Sequence, residues 1–277
     1  MRTTWIVSGV LALVLLGGYV FATGLAASSN VPDWLTAGPI AHRGLWTDGP
    51  PAPENSLAAF EAAASAGYAI ELDAQRCGSG ETVLLHDYEL ERLTGTPGMV
   101  ADTSLTDLKK LRLLGSDEPI ATLAEALALI DGRVPVFVEI KNEGEVGPLE
   151  DDVAAQLAAY DGDAAVMSFN PFSLARVAEV EPGILRGQLS SAFRPEDMEN
   201  DTLAWYEKFL LRTMLMNWTS RPQFIAYDLK ELPTLGTDLQ RWRGRPLLGW
   251  TAEDEAGLAE AEALVDAVIC DPEALGE

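Results

Sequence analysis

The chain has 277 residues, with 19 Lys or Arg against 43 Asp or Glu, a formal net charge of −24 with both histidines neutral. So acidic a surface is repelled by nucleic acid and by anionic lipid headgroups, which excludes a general nucleic-acid binder and leaves room for a local cationic pocket. Two cysteines make no disulfide framework, so Cys77 and Cys270 are expected as free thiols.

Residues 1–27 read as a transmembrane anchor. No charge occurs from Trp5 to Ala27, and about 20 apolar residues span a bilayer. A cleaved signal peptide is the alternative, because Ala22-Thr23-Gly24 is a small-x-small site. Arg2 precedes the run and Asp33 follows it. The chain is therefore expected as a single-pass membrane protein with its large domain outside the cytoplasm, periplasmic or extracellular, or secreted after cleavage. Residues 28–37 read as a linker. Residues 38–277 suffice for one α/β domain and match the size of a TIM (β/α)8 barrel.

Within that domain short apolar runs alternate with Ala- and Leu-rich stretches of helical period, the signature of α/β architecture. Strands are expected at 39–42, 68–75, 81–86, 134–141, 164–168, 184–189, 223–228, 246–250 and 266–270. Helices are expected at 56–66, 104–114, 122–131, 149–160, 171–179, 196–215 and 253–264. Too few residues separate Asp73 from His86 for a parallel crossover, so 68–86 reads as a β-hairpin about Ser79-Gly80, with Asp73 opposite His86. The other eight strands then close a barrel, with the hairpin at its C-terminal face, where such barrels keep their chemistry.

Both histidines end apolar runs, in Ala41-His42-Arg43-Gly44 and Leu84-Leu85-His86-Asp87. Glu71 and Asp73 are spaced i, i+2 and share one face of a strand, flanked by Ile70 and Leu72. Glu139 and Lys141 follow on the run 136–141. Two imidazoles and three inward carboxylates suit a divalent metal and acid–base work on a phosphate. A solvent-facing acidic strand is the blander alternative.

In order, His42-Arg43-Gly44, Pro53-Glu54-Asn55-Ser56, Glu71-Leu72-Asp73, His86-Asp87, Thr94-Gly95, Glu139-Ile140-Lys141, Met167-Ser168-Phe169, Trp250-Thr251 and Cys270-Asp271-Pro272 resemble the glycerophosphodiester phosphodiesterase family. The resemblance covers roughly residues 38–275. It implies a TIM barrel and metal-dependent hydrolysis of glycerophosphodiesters to glycerol 3-phosphate and an alcohol. It further implies Glu71, Asp73 and Glu139 as ligands of Ca²⁺ or Mg²⁺, and His42 and His86 as the acid–base pair with the order of roles open. Arg43 and Lys141 would bind the phosphate. Glu54 and Asn55 would orient a neighbour or hold the metal, and Trp250 would line the pocket or belong to the core. The hairpin turn Cys77-Gly78-Ser79-Gly80 departs from the family's Thr-x-Asp-Gly.

Small-molecule glycerophosphodiesters or lysophospholipids are the expected substrates, with the membrane as partner through the N-terminal helix and no nucleic acid. A phospholipase C- or D-like enzyme forming a cyclic phosphate shares the two-histidine logic. An inactive, membrane-tethered phosphodiester-binding protein is the non-enzymatic alternative. Trp205, Tyr206, Phe209 and Trp218 in the long segment 190–222 could form a cover or a membrane-facing surface, or pack as ordinary helix faces.

Overall fold

Period-two alternation gives each strand a face for the helices and a face for the interior. On residues 136–140 it sends Val136, Val138 and Ile140 outward and Phe137 and Glu139 inward. The computed structural model describes residues 13–21, 23, 31–142, 144–194 and 203–276. Its strands are β1 (Ile40–Ala41), β2 (Ala69–Arg76), β3 (Thr82–Leu84), β4 (Val136–Ile140), β5 (Ala164–Ser168), β6 (Leu185–Ser190), β7 (Phe224–Asp228), β8 (Leu247–Ala252) and β9 (Ala267–Cys270). All are parallel neighbours in the order β1-β2-β4-β5-β6-β7-β8-β9 except β3, and β9 pairs back onto β1 to close the barrel. β3 is antiparallel to β2 and stands outside the ring.

The helices are α1 (Leu57–Ala66), α2 (Glu91–Thr94), α3 (Leu105–Leu108), α4 (Leu123–Ile130), α5 (Pro148–Ala158), α6 (Pro171–Val180), α7 (Trp205–Arg212), α8 (Asn217–Ser220), α9 (Leu235–Trp242) and α10 (Glu255–Ala261). Local chemistry sets their ends. Ser56 caps α1 by accepting from Ala59 N, and Gly67 closes it in the left-handed region. Thr122 and Glu125 form a capping box on α4. Phe60, Ala63 and Ala126 bury against Ile70, Leu72 and Val136 on the outer face of the sheet. Truncating fully buried Phe60 to alanine would cost about 3–5 kcal/mol.

The interior is filled by Ile40, Phe137, Met167, Phe224, Leu248 and Ile269, with Trp34 edge-on to Phe137. Phe224 fits only because Gly187 faces it: a Cβ there would lie 2.2 Å from its ring. The hairpin and the residues between it and β4 build a satellite core of Cys77, Val83, Leu85, Leu93, Leu108 and Leu113, a modest cap over that edge of the barrel. Both cysteines are buried and free.

All nine expected strands are present. The hairpin register is one residue off the expectation. Ala74 pairs with Leu84, and Leu85 N donates to Asp73 O, so Asp73 lies opposite Leu85 and His86 is the next residue out. The expected helix at 104–114 is reduced to α3 and a 3-10 turn at Leu113–Gly115. Of the expected helix at 196–215, α7 is described and residues 195–202 lie outside the described residues. α9 was not expected, because its buried positions are Gly236, Thr237 and Gln240 while Leu235 and Trp242 face solvent. An apolar-periodicity argument finds no core stripe in it.

The anchor and linker expected at 1–27 and 28–37 lie partly outside the described residues. Residues 13–21 are helical with Leu13 to Leu16 exposed, and among the described residues no helix is long and apolar enough to cross a membrane.

Candidate active site

Barrel register brings the chemistry-bearing residues to one end. Ala41 is level with Ile70 and with Cys270, and Asp73 is level with Glu139. One step beyond β1 and β9, His42 therefore meets Asp271, and its Nδ1 lies 2.7 Å from Asp271 Oδ1. A carboxylate only accepts, so Nδ1 carries the hydrogen and Nε2 is left for proton transfer. Burial pushes the His42 pKa below its ordinary 6.5, and the Asp271 hydrogen bond only partly opposes it.

His86 is held in the same way by its neighbour, with Nδ1 2.8 Å from Asp87 Oδ1. Buried Gln75 fixes the backbone that carries it, donating Nε2 to the carbonyls of Leu85, His86 and Asp87 at 2.7, 3.1 and 2.8 Å. Arg92 then clamps Asp87 through Nε and Nη2 at 2.5 and 2.8 Å, and reaches Glu54 through Nη1 and Nη2 at 2.9 and 2.8 Å. Burial raises the Glu54 carboxyl, but the Arg92 hydrogen bonds and the Arg43 charge outweigh it and hold the pKa below the usual glutamate value. The same balance, with His86 and Arg92 winning over burial, depresses Asp87.

Glu54 in turn accepts from Arg43 Nη1 at 2.9 Å, and Arg43 Nε lies 3.4 Å from Asp73 Oδ2. Nη1 is thus hydrogen-bonded to one carboxylate, while Nε faces a second as an ion pair without a hydrogen bond, which limits the phosphate fork expected of Arg43. Arg43 has φ 59°, and its N–H donates to Glu71 Oε2 at 3.1 Å. Gly44 follows at φ 85°, where a Cβ would lie 2.8 Å from the Ala59 carbonyl carbon. The loop can lie against α1 only with glycine at that position. Asn55 bridges Asp73 from both ends, donating Nδ2 to Oδ2 at 2.8 Å and accepting Asp73 N at 3.1 Å.

Glu71, Asp73 and Glu139 offer oxygens that all lie within 4.8 Å of one another. Lys141 Nζ stands 3.8 Å from Asp73 and 3.9 Å from Glu139, with the Tyr88 ring 5.8 Å away. The three carboxylates are not equivalent. Burial opposes ionisation of Asp73, but His86, Lys141, Arg43 and Asn55 outweigh it and hold its pKa down. Burial and the charges of Asp73 and Glu139 push Glu71 well up, and burial raises Glu139 as well. Three hard oxygen donors whose repulsion two cations leave unrelieved fit a divalent ion such as Ca²⁺ or Mg²⁺.

These groups line one side of a cavity of about 120 Å³, with His42, Arg43, Glu71, His86, Glu139 and Lys141 in its wall. Met167, Phe169, Leu189, Trp250 and Ile269 form the other side. Phe169 packs edge-on against both Trp250 and Phe193, at 5.6 and 6.0 Å between centroids. Trp250 therefore lines the cavity and also packs on the interior core.

All ten residues singled out in the sequence gather at this end of the barrel. Sequence reasoning assigned no role to Asp271, Asp87, Gln75, Arg92 or Phe169. Asp271 had a signal, since closing the barrel sets the last strand beside the first. Arg92 had none, being five residues beyond Asp87 on a short helix.

Known proteins share both pattern and fold. The model of the glycerophosphoryl diester phosphodiesterase family matches residues 42–273. The glycerophosphodiester phosphodiesterase of Caldanaerobacter subterraneus is 36% identical over 163 residues, 54% of this chain and 65% of that protein. That of Bacillus subtilis is 28% identical over 222 residues, 70% of this chain and 73% of its own. Among solved structures, an Oleispira antarctica phosphodiesterase in complex with the product sn-glycerol-3-phosphate has a TM-score of 0.71 at 26% identity, over 86% of this chain and 94% of that one. The Thermotoga maritima glycerophosphodiester phosphodiesterase shares the fold, with a TM-score of 0.61 at 23% identity over 86% and 96% of the two chains. With most of the barrel matched, the chain belongs to the glycerophosphoryl diester phosphodiesterase family.

Proposed function

We propose that this chain hydrolyses glycerophosphodiesters to glycerol 3-phosphate and an alcohol, with Glu71, Asp73 and Glu139 holding Ca²⁺ or Mg²⁺. The observation that carries this reading is the pair of carboxylate-backed histidines around one three-carboxylate cluster. A bound divalent ion would supply Lewis-acid polarisation of the phosphoryl oxygens. The protein's own groups do the rest. His42, kept neutral by burial, takes the proton of the attacking oxygen on Nε2, while Asp271 holds the tautomer and offsets the charge it acquires. His86, backed by Asp87, gives a proton to the leaving alkoxide. Lys141 and the uncommitted edge of Arg43 face the charge that builds on the phosphate. Glu54 and Asn55 hold Arg43 and Asp73 in position and are not ligands of the ion in this reading.

The charge-free N-terminal run supports a single-pass anchor with the barrel outside the cytoplasm. The deciding experiment incubates the full chain with a panel of glycerophosphodiesters and measures glycerol 3-phosphate release, with EDTA and after Mg²⁺ or Ca²⁺ is restored. Metal-restored release is expected. No release with either ion would overturn the reading, and a cyclic phosphodiester persisting in ³¹P NMR would replace hydrolysis with cyclisation.

A further inference from the structure

The charge-free N-terminal segment is tied to the barrel at a defined place. Arg243 Nη2 donates to Val20 O at 2.7 Å, and Arg245 Nη1 and Gln240 Nε2 each donate to Thr23 O at 3.0 Å. Two of these donors are cations on carbonyls of the helical segment. Arg243 and Arg245 precede β8 and so mark the N-terminal end of the strands. Tyr19 Oη donates at 3.1 Å to the carbonyl of Thr213, which follows α7. That point is at the catalytic end, because Tyr227 near the end of β7 donates to Arg212 O at 3.2 Å. The helical residues therefore climb the barrel wall toward the active-site mouth. At 1.5 Å per residue, Leu13 lies about 15 Å from Thr23 in that direction.

What surrounds this exit is apolar. α7 buries none of its residues and turns Trp205 (81% exposed), Tyr206 and Phe209 to solvent. Phe172 is the second residue of α6 and Leu235 (78% exposed) opens α9, both also at the C-terminal end of the strands. The acidity of the chain lapses over the same stretch. Residues 203–227 hold one acid, Glu207, against Lys208, Arg212 and Arg221, in a protein of net charge −24. Exposed tryptophan and tyrosine on an amphipathic helix, beside basic residues, is the composition that seats at a bilayer interface. The sequence from residue 3 to residue 32 carries no charge, and its described residues Leu13 to Leu16 are exposed, which selects a lipid surface over a protein partner.

We infer that the catalytic face on its β5–β8 side is a membrane-docking surface. Trp205, Tyr206, Phe209, Phe172 and Leu235 rest in the interface of an electrically neutral bilayer, and the active site takes a phosphodiester presented by that bilayer, a lysophospholipid. The inference rests on the hydrolase reading for its substrate but not for its surface.

The test uses the full chain in phosphatidylcholine proteoliposomes, with lysophosphatidylcholine in the bilayer and glycerophosphocholine in the water phase as paired substrates. Replacing Trp205, Tyr206 and Phe209 together by serine is expected to lower turnover of the bilayer substrate about tenfold or more and to leave the soluble one within about twofold. Trp242→Ser, on the exposed residue at the opposite end of α9, is expected to change neither. Unchanged turnover of both substrates in the triple variant, or an equal loss on both, would overturn the surface. So would a dimer in detergent that the triple variant dissociates while vesicle turnover is unchanged, since a second copy would then be the occupant.

If the wild type turns over neither substrate, the hydrolase reading fails, and phosphatidylcholine brominated on its acyl chains still tests the surface. Wild-type tryptophan fluorescence is expected to be quenched by it, with part of that quenching lost in Trp205→Phe. Identical quenching in the two proteins would overturn the proposal.

Discussion

On the β1–β4 side of the mouth, the two histidines and most of the charged groups are tied to one another. His86, Asp87, Arg92, Glu54, Arg43 and Asp73 form one continuous chain of hydrogen bonds and ion pairs, and His42 has its own carboxylate. On the β5–β8 side, Met167, Phe169, Leu189 and Trp250 present no charge, and aromatic edges replace ion pairs. The first side holds like charges together against their repulsion. The second is ordinary core that happens to end at a cavity. Reaction chemistry needs groups held in unfavourable proximity, whereas selection of the leaving alcohol needs only shape and an apolar surface. Substitutions in the carboxylate cluster of the first side should therefore cost rate and return stability, and those on the second should alter preference more than rate.

The largest effect is expected at the carboxylate cluster. Glu71→Gln or Glu139→Gln should lower kcat/KM by about 10³-fold. Glu71→Gln keeps an acceptor for Arg43 N but removes a charge that burial and its neighbours oppose. In EDTA its melting temperature should rise, by about 2–4 °C for each kcal/mol of repulsion removed. Both glutamates have pKa values raised by folding. Between the ordinary and the raised value the folded protein holds more protons than the unfolded chain, so metal-free stability falls as pH rises through that window. A cation needs the carboxylates ionised, so its stabilisation grows over the same range. Scanning fluorimetry should find EDTA lowering the wild-type melting temperature more at about pH 8 than at about pH 5. A pH-independent drop would break the assignment of the cluster as the cation site.

Next in size is Asp271→Asn. Losing the partner that fixes the His42 tautomer should lower kcat by about 10²-fold with little change in KM. Asp271 raises the pKa of His42 against the stronger effect of burial. Without it that pKa falls further, so the acid limb of the kcat/KM profile should move to lower pH. A limb that stays in place would assign it to another group.

Arg92→Ala should do less, about tenfold in kcat, because Arg92 is half-exposed and acts through Asp87 and Glu54. Its stability signature has a definite sign. The depressed pKa of Glu54 contributes stability above the ordinary glutamate value, and this is lost as pH falls through the depressed one. Raising that pKa by removing Arg92 should start acid unfolding at higher pH, readable by circular dichroism.

The same contrast decides how much the sequence disclosed. The barrel and its hairpin were legible because alternation and strand spacing are local properties, and eight of the ten candidate residues lie on strands or just beyond their ends, with Glu54 and Asn55 in the loop before α1. The hairpin register was missed by one residue because the turn runs from Cys77 to Glu81, with Cys77 N donating to Glu81 O, and is not centred on Ser79-Gly80. α9 was missed because it buries polar residues against its surroundings and shows its apolar ones. The clamp through Arg92 and Gln75 was invisible because it depends on which loops the fold brings together, a tertiary fact with no local pattern.

The apolar side gives the smallest effects and the sharpest separation from the polar one. Trp250 has its indole N–H buried with no partner among the described residues, which in a stable core is a cost of about 1–3 kcal/mol. Such a donor at the cavity wall is explained if a substrate oxygen accepts from it. Trp250→Phe removes the donor and keeps an aromatic ring beside Phe169. If a substrate oxygen is the missing partner, KM should rise about threefold to tenfold with kcat nearly unchanged, the pattern of a lost uniform binding contact. The melting temperature should meanwhile hold or rise slightly, since an unsatisfied buried group has gone. A fall in kcat without a change in KM would assign Trp250 to the reacting side instead, and would erase the division between the two walls.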